Sequence, residues 1–388
     1  MNKDFDYYFP TRIIFGKGSI RKCVMFAREF GNNALVVTGS GKVSIDGLRT
    51  SLREEGINWT EYRVGGEPRV DIILDGIRIA KDAKSDHVIC LGGGSVMDAG
   101  KAIAAMMTNP GNLMDYLEVV GKGKSVDIQG LPVITIPTTA GTGSEVTRNS
   151  VISVTERKIK VSMRGKGMSA KIAIIDPELT YSLPPEITAT TGMDALTQVI
   201  EAYMSNSVNP ISDAYALEGI RRGAESILKS FENGKDEDAR ANMSLTALFS
   251  GIALSHAGLG AVHGFAGVIG GMIDAPHGAI CACLLPAVLS ANFETMSKGE
   301  NNNDALLRFT RFSQIVTGES SPPPQKGIER VRDLCKRLKI KGLSYLGVKK
   351  SDFKFIVPKA VVSSSMKKNP LVLGEDVLLK ILEESWDL

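Results

Sequence analysis

Residues 87–104 read HVICLGGGSVMDAGKAIA: an apolar, strand-like run, three glycines and a serine, then a helical pattern. A backbone without side chains can pass close to a ligand, and a helix starting there aims its free N–H groups and positive dipole end at it. A phosphate is the usual guest. The segment is a strand delivered straight into a helix, and the rest of the first half repeats that alternation.

Strand-like runs rich in Ile, Val or aromatics fall at Thr11–Phe15, Ala34–Thr38, Trp59–Val64, Val88–Leu91, Pro132–Ile136 and Ile172–Ile175. Helical patterns lie between them at Ile20–Phe30, Ile45–Glu55, Val70–Ala83 and Val96–Met107. Such alternation predicts parallel strands with helical crossovers, whose ligands sit beyond the carboxyl ends of the strands. Ser150–Met163 alternates on both sides of Thr-Glu-Arg and reads as a hairpin. After Asp176-Pro177 long helical patterns take over, at Gly192–Met204, Ser212–Lys229, Glu237–Ala257 and Asp304–Thr317. SSPPPQKG at 320–327 reads as a surface loop between helices. A chain of 388 residues outgrows a single core. The expected fold is an α/β nucleotide-binding domain over residues 1–182 and an all-α domain over residues 183–388, divided at the two prolines of SLPPE.

A net charge of +3, evenly spread, argues against a nucleic-acid or anionic-membrane surface. MNKDFDYYFP lacks the layout of a signal peptide, and no apolar run approaches the ~20 residues of a membrane helix, Ala261–Ile273 coming closest. The five cysteines, an odd number in a core-rich chain, do not suggest a disulfide framework, and the expected compartment is the cytoplasm. Cys281 and Cys283, spaced C-x-C, read as buried small hydrophobes rather than ligands.

Three segments carry chemistry. GGGSVMD is not the G-x-G-x-x-G fingerprint, but three successive glycines weaken an unliganded turn, which favours a phosphate site. Asp98, one turn into the helix, either steadies the helix N-terminus or bonds a ligand hydroxyl. PTTAGTGSEVT at 137–147 follows another strand and offers hydroxyl and N–H donors to a pyrophosphate or ribose. In the helical half Asp194 and Gln198 stand at i, i+4, while His263 and His277 sit in glycine-rich surroundings. One carboxylate and two imidazoles could bind Zn²⁺ or Fe²⁺ with a position open for substrate; a histidine in an apolar helix is equally a satisfied core residue.

Together, GGGSVMDAGKAIA, PTTAGTGSEVT, DPELT (176–180), GMDALTQVIEAY (192–203), GLGAVHG…DAPHG (258–278) and the N-terminal FPTRIIFGKGSI resemble the iron-containing (group III) alcohol dehydrogenases. The resemblance implies the dehydroquinate synthase-like fold of that family, with the active site in the cleft between its two domains. It also implies an NAD(P)-linked dehydrogenase of a small alcohol, aldehyde or hydroxy-acid, whose divalent metal, usually iron and sometimes zinc, holds the alcohol oxygen. The assembly it implies is a homodimer or larger. Carried over by position, Gly93, Gly94, Ser95 and Asp98 would hold the pyrophosphate and nearby ribose. Thr138, Thr139, Thr142 and Ser144 would line the cofactor, and Lys160 would reach it from the hairpin. Asp194, His263 and His277 would be catalytic metal ligands.

The chain departs from the family pattern in two places. Gln198 stands where the fourth ligand is usually histidine, which should weaken binding and favour harder metals. Gly267 replaces a histidine thought to help move the proton; His256 could compensate, although a packing role is favoured. Where NAD-preferring relatives carry an acidic residue after the second strand, this chain has Gly39, followed by Ser40 and Lys42. Losing that carboxylate removes repulsion of a 2′-phosphate, and the expectation is NADP(H) over NAD(H). Two other readings compete: a dehydroquinate synthase-type lyase that retains NAD, and a cofactor-binding protein with a degraded metal site.

Overall fold

The computed structural model describes residues 4–41, 43–157, 159–299 and 303–387. Lys42 therefore lies outside the described residues. The chain forms two compact units. The α/β unit comprises Tyr8–Thr139 and Gly143–Ser182; the helical unit runs from Leu183 onward and includes residues 140–142 and the segment ending at Tyr7. Thr142, expected in the α/β domain, thus belongs to the helical unit. Ser250 donates a hydrogen bond to the Gly141 carbonyl at 3.3 Å, and Tyr7 stacks on His256 at 4.0 Å.

The α/β unit is built on a six-stranded sheet. Its strands are β1 (Arg12–Phe15), β2 (Asn33–Thr38), β3 (Asn58–Arg63), β4 (His87–Gly92), β5 (Val133–Pro137) and, after the hairpin strands β6 (Asn149–Val154) and β7 (Ile159–Arg164), β8 (Ile172–Ile175). The order is β3-β2-β4-β5-β8-β1, parallel throughout. All six residues of β4 are buried, as expected of a strand covered on both faces. The crossovers are α1 (Cys23–Phe30), α2 (Asp46–Glu54), α3 (Val70–Asp82) and α4 (Gly94–Met106), with the short α5 (Leu113–Tyr116) after them. Chain leaving β2 goes outward to β3, whereas chain leaving β4 goes the other way to β5. The strand order therefore reverses between β2 and β4, the place where open α/β sheets form a ligand crevice.

The helical unit contains α6 (Pro185–Met204), α7 (Pro210–Glu232), α8 (Glu237–Ala257), α9 (Ala261–Met272), α10 (His277–Lys298), α11 (Asn303–Thr317), α12 (Pro324–Arg337), α13 (Leu343–Leu346), α14 (Phe353–Val361) and α15 (Glu375–Glu384). The expected loop at 320–327 is therefore shorter: α12 begins at Pro324, because proline is well placed in a first helical turn. Helix α6 is buried along nearly its whole length and packs on α7, α8 and α10. Gly258 ends α8 with φ +74°, and the chain re-enters α9 at 101° to it. The expectation about apolar runs needs correction. Helix α10 is 22 residues long and apolar enough to cross a membrane, as is the bent α8–α9 pair taken as one; 72% of the apolar window of α10 is buried inside the fold.

Candidate active site

The dinucleotide-type features gather at the strand reversal. None of Gly92, Gly93 and Gly94 has positive φ, so the turn needs glycine for space, not for backbone conformation. A Cβ on Gly92 would lie 2.5 Å from Val96, and one on Gly93 would press on Thr139 at 3.3 Å. Gly93 caps α4 without a side-chain acceptor, leaving the first-turn N–H groups that no helix satisfies internally. Gly39 follows β2 and would meet the same Val96 at 3.2 Å, while Ser40 beside it is exposed. Thr138 donates its N–H to the Gly92 carbonyl at 2.8 Å. Gly39, Gly93, Gly94, Thr138 and Thr139 thus surround one turn, with Ser95 in its first helical residues.

Asp98 and Ser144 lie deeper and are spent on the protein. The Ser144 hydroxyl donates to Asp98 Oδ1, and the Val151 N–H donates to Oδ2 at 2.9 Å. Both residues join a network around Lys101, whose fully buried Nζ donates to Ser144 Oγ (2.8 Å), the Ser144 carbonyl (2.9 Å), Thr147 Oγ1 (3.0 Å) and the Asn149 carbonyl. A buried ammonium is tolerable only with such complete pairing. It pins the threonine-rich loop to α4. The sequence reading passed over Lys101; a lone lysine in the run AGKAIAA was its signal. Lys160 sits on β7 with its Nζ 3.3 Å from Glu67 Oε1.

In the helical unit, α6 carries Asp194, Gln198 and Glu201 at i, i+4 and i+7, one stripe of a largely buried helix. Helix α9 brings His263, and α10 begins with His277. A Cβ on Gly278 would lie 2.1 Å from the Thr190 carbonyl and 3.1 Å from Asp194 Cβ. Only glycine lets α10 start this close to α6, which is why His277 reaches Asp194. His263 Nε2 is 3.3 Å from Asp194 Oδ1. His263 Nδ1–H donates to Glu201 Oε2 at 2.6 Å, and Glu201 Oε1 accepts the Val262 N–H at 2.7 Å. Glu201, which the sequence reading missed, thereby fixes the tautomer that leaves Nε2 free.

Cys281 corrects an expectation. It is not a plain hydrophobe: its Sγ lies 3.7 Å from His263 Nε2 and 3.6 Å from His277 Nε2. One donor atom each from Asp194, His263, His277 and Cys281 lies within 4.8 Å of all the others. Cys283, by contrast, is buried in the core and bonds the Ile280 carbonyl. The spacing of Cys281 from His277, i and i+4 on one helix, was its available signal. His256 is outside this group; its Nδ1–H donates to the Ile252 carbonyl at 2.9 Å. His87 opens β4 and bonds Asp86. Around Gly267 there is open space.

The donor set fits a divalent cation. Asp194 Oδ1 and Gln198 Oε1 are buried acceptors without a hydrogen-bond partner. Burial works against ionising Asp194, yet the nearby His263 and His277 imidazoles hold its carboxyl below the usual range. Burial likewise works against protonating His263 and His277, yet Cys281 and Asp194, with Glu201 for His263, raise both above an ordinary histidine. The cluster draws positive charge to itself, and a divalent cation delivers it.

A switch-point glycine turn in one unit and an acid–imidazole cage in the other define a metal-dependent, dinucleotide-linked oxidoreductase. The chain belongs to the iron-containing alcohol dehydrogenase family. The family model Iron-containing alcohol dehydrogenase matches residues 10–177, and Fe-containing alcohol dehydrogenase family, C-terminal, matches 188–386. Alcohol dehydrogenase 4 of Saccharomyces cerevisiae (strain YJM789) is 34% identical over 98% of both chains. A crystal structure of 1,3-propanediol oxidoreductase superposes with a TM-score of 0.91 at 30% identity, covering 99% of this chain and 100% of that one. The sulfoacetaldehyde reductase of Bifidobacterium kashiwanohense, solved with NAD⁺, gives 0.85 at 26% identity over 99% of each. The chain is accordingly an alcohol dehydrogenase, the enzymatic reading made from its motifs.

Proposed function

We propose that the chain interconverts a small alcohol and its aldehyde, or a small hydroxy-acid and its oxo-acid, with NADP(H) preferred over NAD(H). In this reading the backbone N–H groups of Gly93 and Gly94 and the Ser95 hydroxyl take the pyrophosphate, beside Asp98. Thr138, Thr139 and Thr142 line the dinucleotide, Ser144 holds their loop on α4 through Asp98 and Lys101, and Lys160 reaches the dinucleotide by leaving Glu67. The missing carboxylate at Gly39, with Ser40 and Lys42 following, supports the 2′-phosphate preference. Asp194, His263 and His277 hold the divalent cation, Fe²⁺ or Zn²⁺, with the Gln198 amide one turn along α6 from Asp194. When bound, it supplies Lewis acidity toward an alcohol or carbonyl oxygen. The chain's own contribution is orientation: Glu201 locks His263, and the buried cage keeps bulk water from the donors. Five unpaired cysteines support a reducing cytoplasm, and family membership supports a homodimer or larger assembly.

One observation carries the reading: two buried acceptors, Asp194 Oδ1 and Gln198 Oε1, stand unpartnered beside two imidazoles. Each would cost about 1–3 kcal/mol if nothing completed it. The test pairs elemental analysis with steady-state rates on short-chain aldehydes, using NADPH and NADH. Stoichiometric metal, loss of turnover on chelation and its return on adding metal are expected. If His263→Ala left metal content and kcat unchanged, the proposal would fail; a tenfold preference for NADH would remove its cofactor clause.

A further inference from the structure

We propose that Cys281, not Gln198, completes the metal cage, so that this chain binds its divalent cation through Asp194, His263, His277 and a thiolate. The inference rests on the metal-dependent reading above and goes beyond it in naming the fourth donor.

The argument is one of spacing. Zinc bonds sulfur at about 2.3 Å and imidazole nitrogen or carboxylate oxygen at about 2.0–2.2 Å. In a tetrahedron those bonds put sulfur about 3.6 Å from each nitrogen, and nitrogen about 3.4 Å from oxygen. Here Cys281 Sγ stands 3.6 and 3.7 Å from the two Nε2 atoms, and His263 Nε2 stands 3.3 Å from Asp194 Oδ1. These three separations match three of the six edges of a tetrahedron around a cation, and all four donor atoms lie within 4.8 Å of one another.

The second observation is the unpartnered Asp194 Oδ1, in a residue only 3% exposed, which lies on one of those edges. Gln198 is as deeply buried, and its Oε1 is likewise unpartnered. An amide oxygen is a weak, hard donor, while a thiolate is a strong, soft one. A chain with glutamine in the fourth family position has therefore not lost its fourth strong ligand. It supplies one from α10, a single turn beyond His277, and the hardening expected from Gln198 is reversed. On binding, the S–H bond breaks, the metal–sulfur bond forms and the proton leaves to solvent.

Cobalt(II) replacement tests this without any turnover measurement. The metal-free protein is titrated with Co²⁺ as wild type, Cys281→Ser and Gln198→Ala, with folding followed by circular dichroism. The wild type and Gln198→Ala should bind one equivalent and show the intense near-ultraviolet thiolate-to-cobalt charge-transfer band. Cys281→Ser should lose that band and bind at least tenfold more weakly. Stoichiometric cobalt in the wild type without the band would overturn the role of Cys281 and leave the metal reading standing. No bound cobalt in folded wild type would overturn both. Should Cys281→Ser fail to fold, the wild-type spectrum alone decides.

Discussion

At the scale of single residues, the cage depends on groups that never touch a ligand. Glu201 accepts from both His263 Nδ1 and the Val262 N–H, and so ties the orientation of one donor to the start of its own helix. Glu201→Gln keeps the shape and removes the charge. Metal affinity should fall about 10–100-fold, read by competition with a chromogenic chelator; an unchanged affinity would mean that packing alone orients His263. A second residue makes a pH-dependent claim. Burial pushes the Glu145 carboxyl up to about 7, against the pull of its own N–H and of Lys101. Its folded value exceeds its unfolded one, so folding is favoured while it is protonated and loses on the order of 3 kcal/mol as pH rises through that value. Glu145→Gln should melt at the wild-type temperature near pH 4.5, and several degrees above it at pH 8. Parallel melting at both pH values would contradict this. Asp194 and His263 could be picked out of the sequence by type and spacing; Cys281 and Glu201 could not be assigned, because their roles exist only once α10 and α9 pack on α6.

At the scale of elements, legibility followed burial. The six sheet strands were readable to within a residue or so: β2, β4, β5 and β8 because strands covered on both faces leave unbroken apolar runs, and the more exposed edge strands β1 and β3 from their β-branched and aromatic residues. Helix starts were less legible: Ile20–Phe30 divides into a 3₁₀ turn, Ser19–Lys22, and α1. Two glycines show how element packing sets the site. In Gly278→Ala the new methyl would stand 2.1 Å from the Thr190 carbonyl, and backbone cannot yield as a side chain can. Helix α10 must then move off α6, carrying His277 and Cys281 with it. The variant should lose about 1–3 kcal/mol of stability, the usual cost of overpacking, and most of its metal affinity. Gly267→Ala, inside α9 with open space around it, should instead gain about 0.5–1 kcal/mol, the ordinary helix advantage of alanine over glycine. Thermal melts of the pair, with metal content measured on each, separate close packing from glycine's flexibility.

At the scale of the whole molecule, two units with separate cores carry two different ligand chemistries. The sequence division at residue 182 anticipated most of this partition. It missed residues 140–142 and the segment ending at Tyr7, because membership there is decided by contacts with α6 and α8 that no local pattern announces. The partition has a thermodynamic consequence. A ligand stabilises the states that bind it, by about 2.7 kcal/mol at a hundred times its Kd, and local opening reports that gain where the ligand holds the fold. Metal removal should therefore speed amide exchange in α6, α9 and the first turns of α10, while β2, β4 and β5 exchange as before. Adding dinucleotide to the metal-free protein should slow exchange at Gly39–Ser40, Gly92–Ser95 and Thr138–Thr139 and leave the cage helices fast. Hydrogen exchange resolved by mass spectrometry gives both patterns in one series. Uniform protection of the whole chain by either ligand would mean that the two units open as one cooperative body, and the assignment of each chemistry to its own unit would then have to rest on mutants alone.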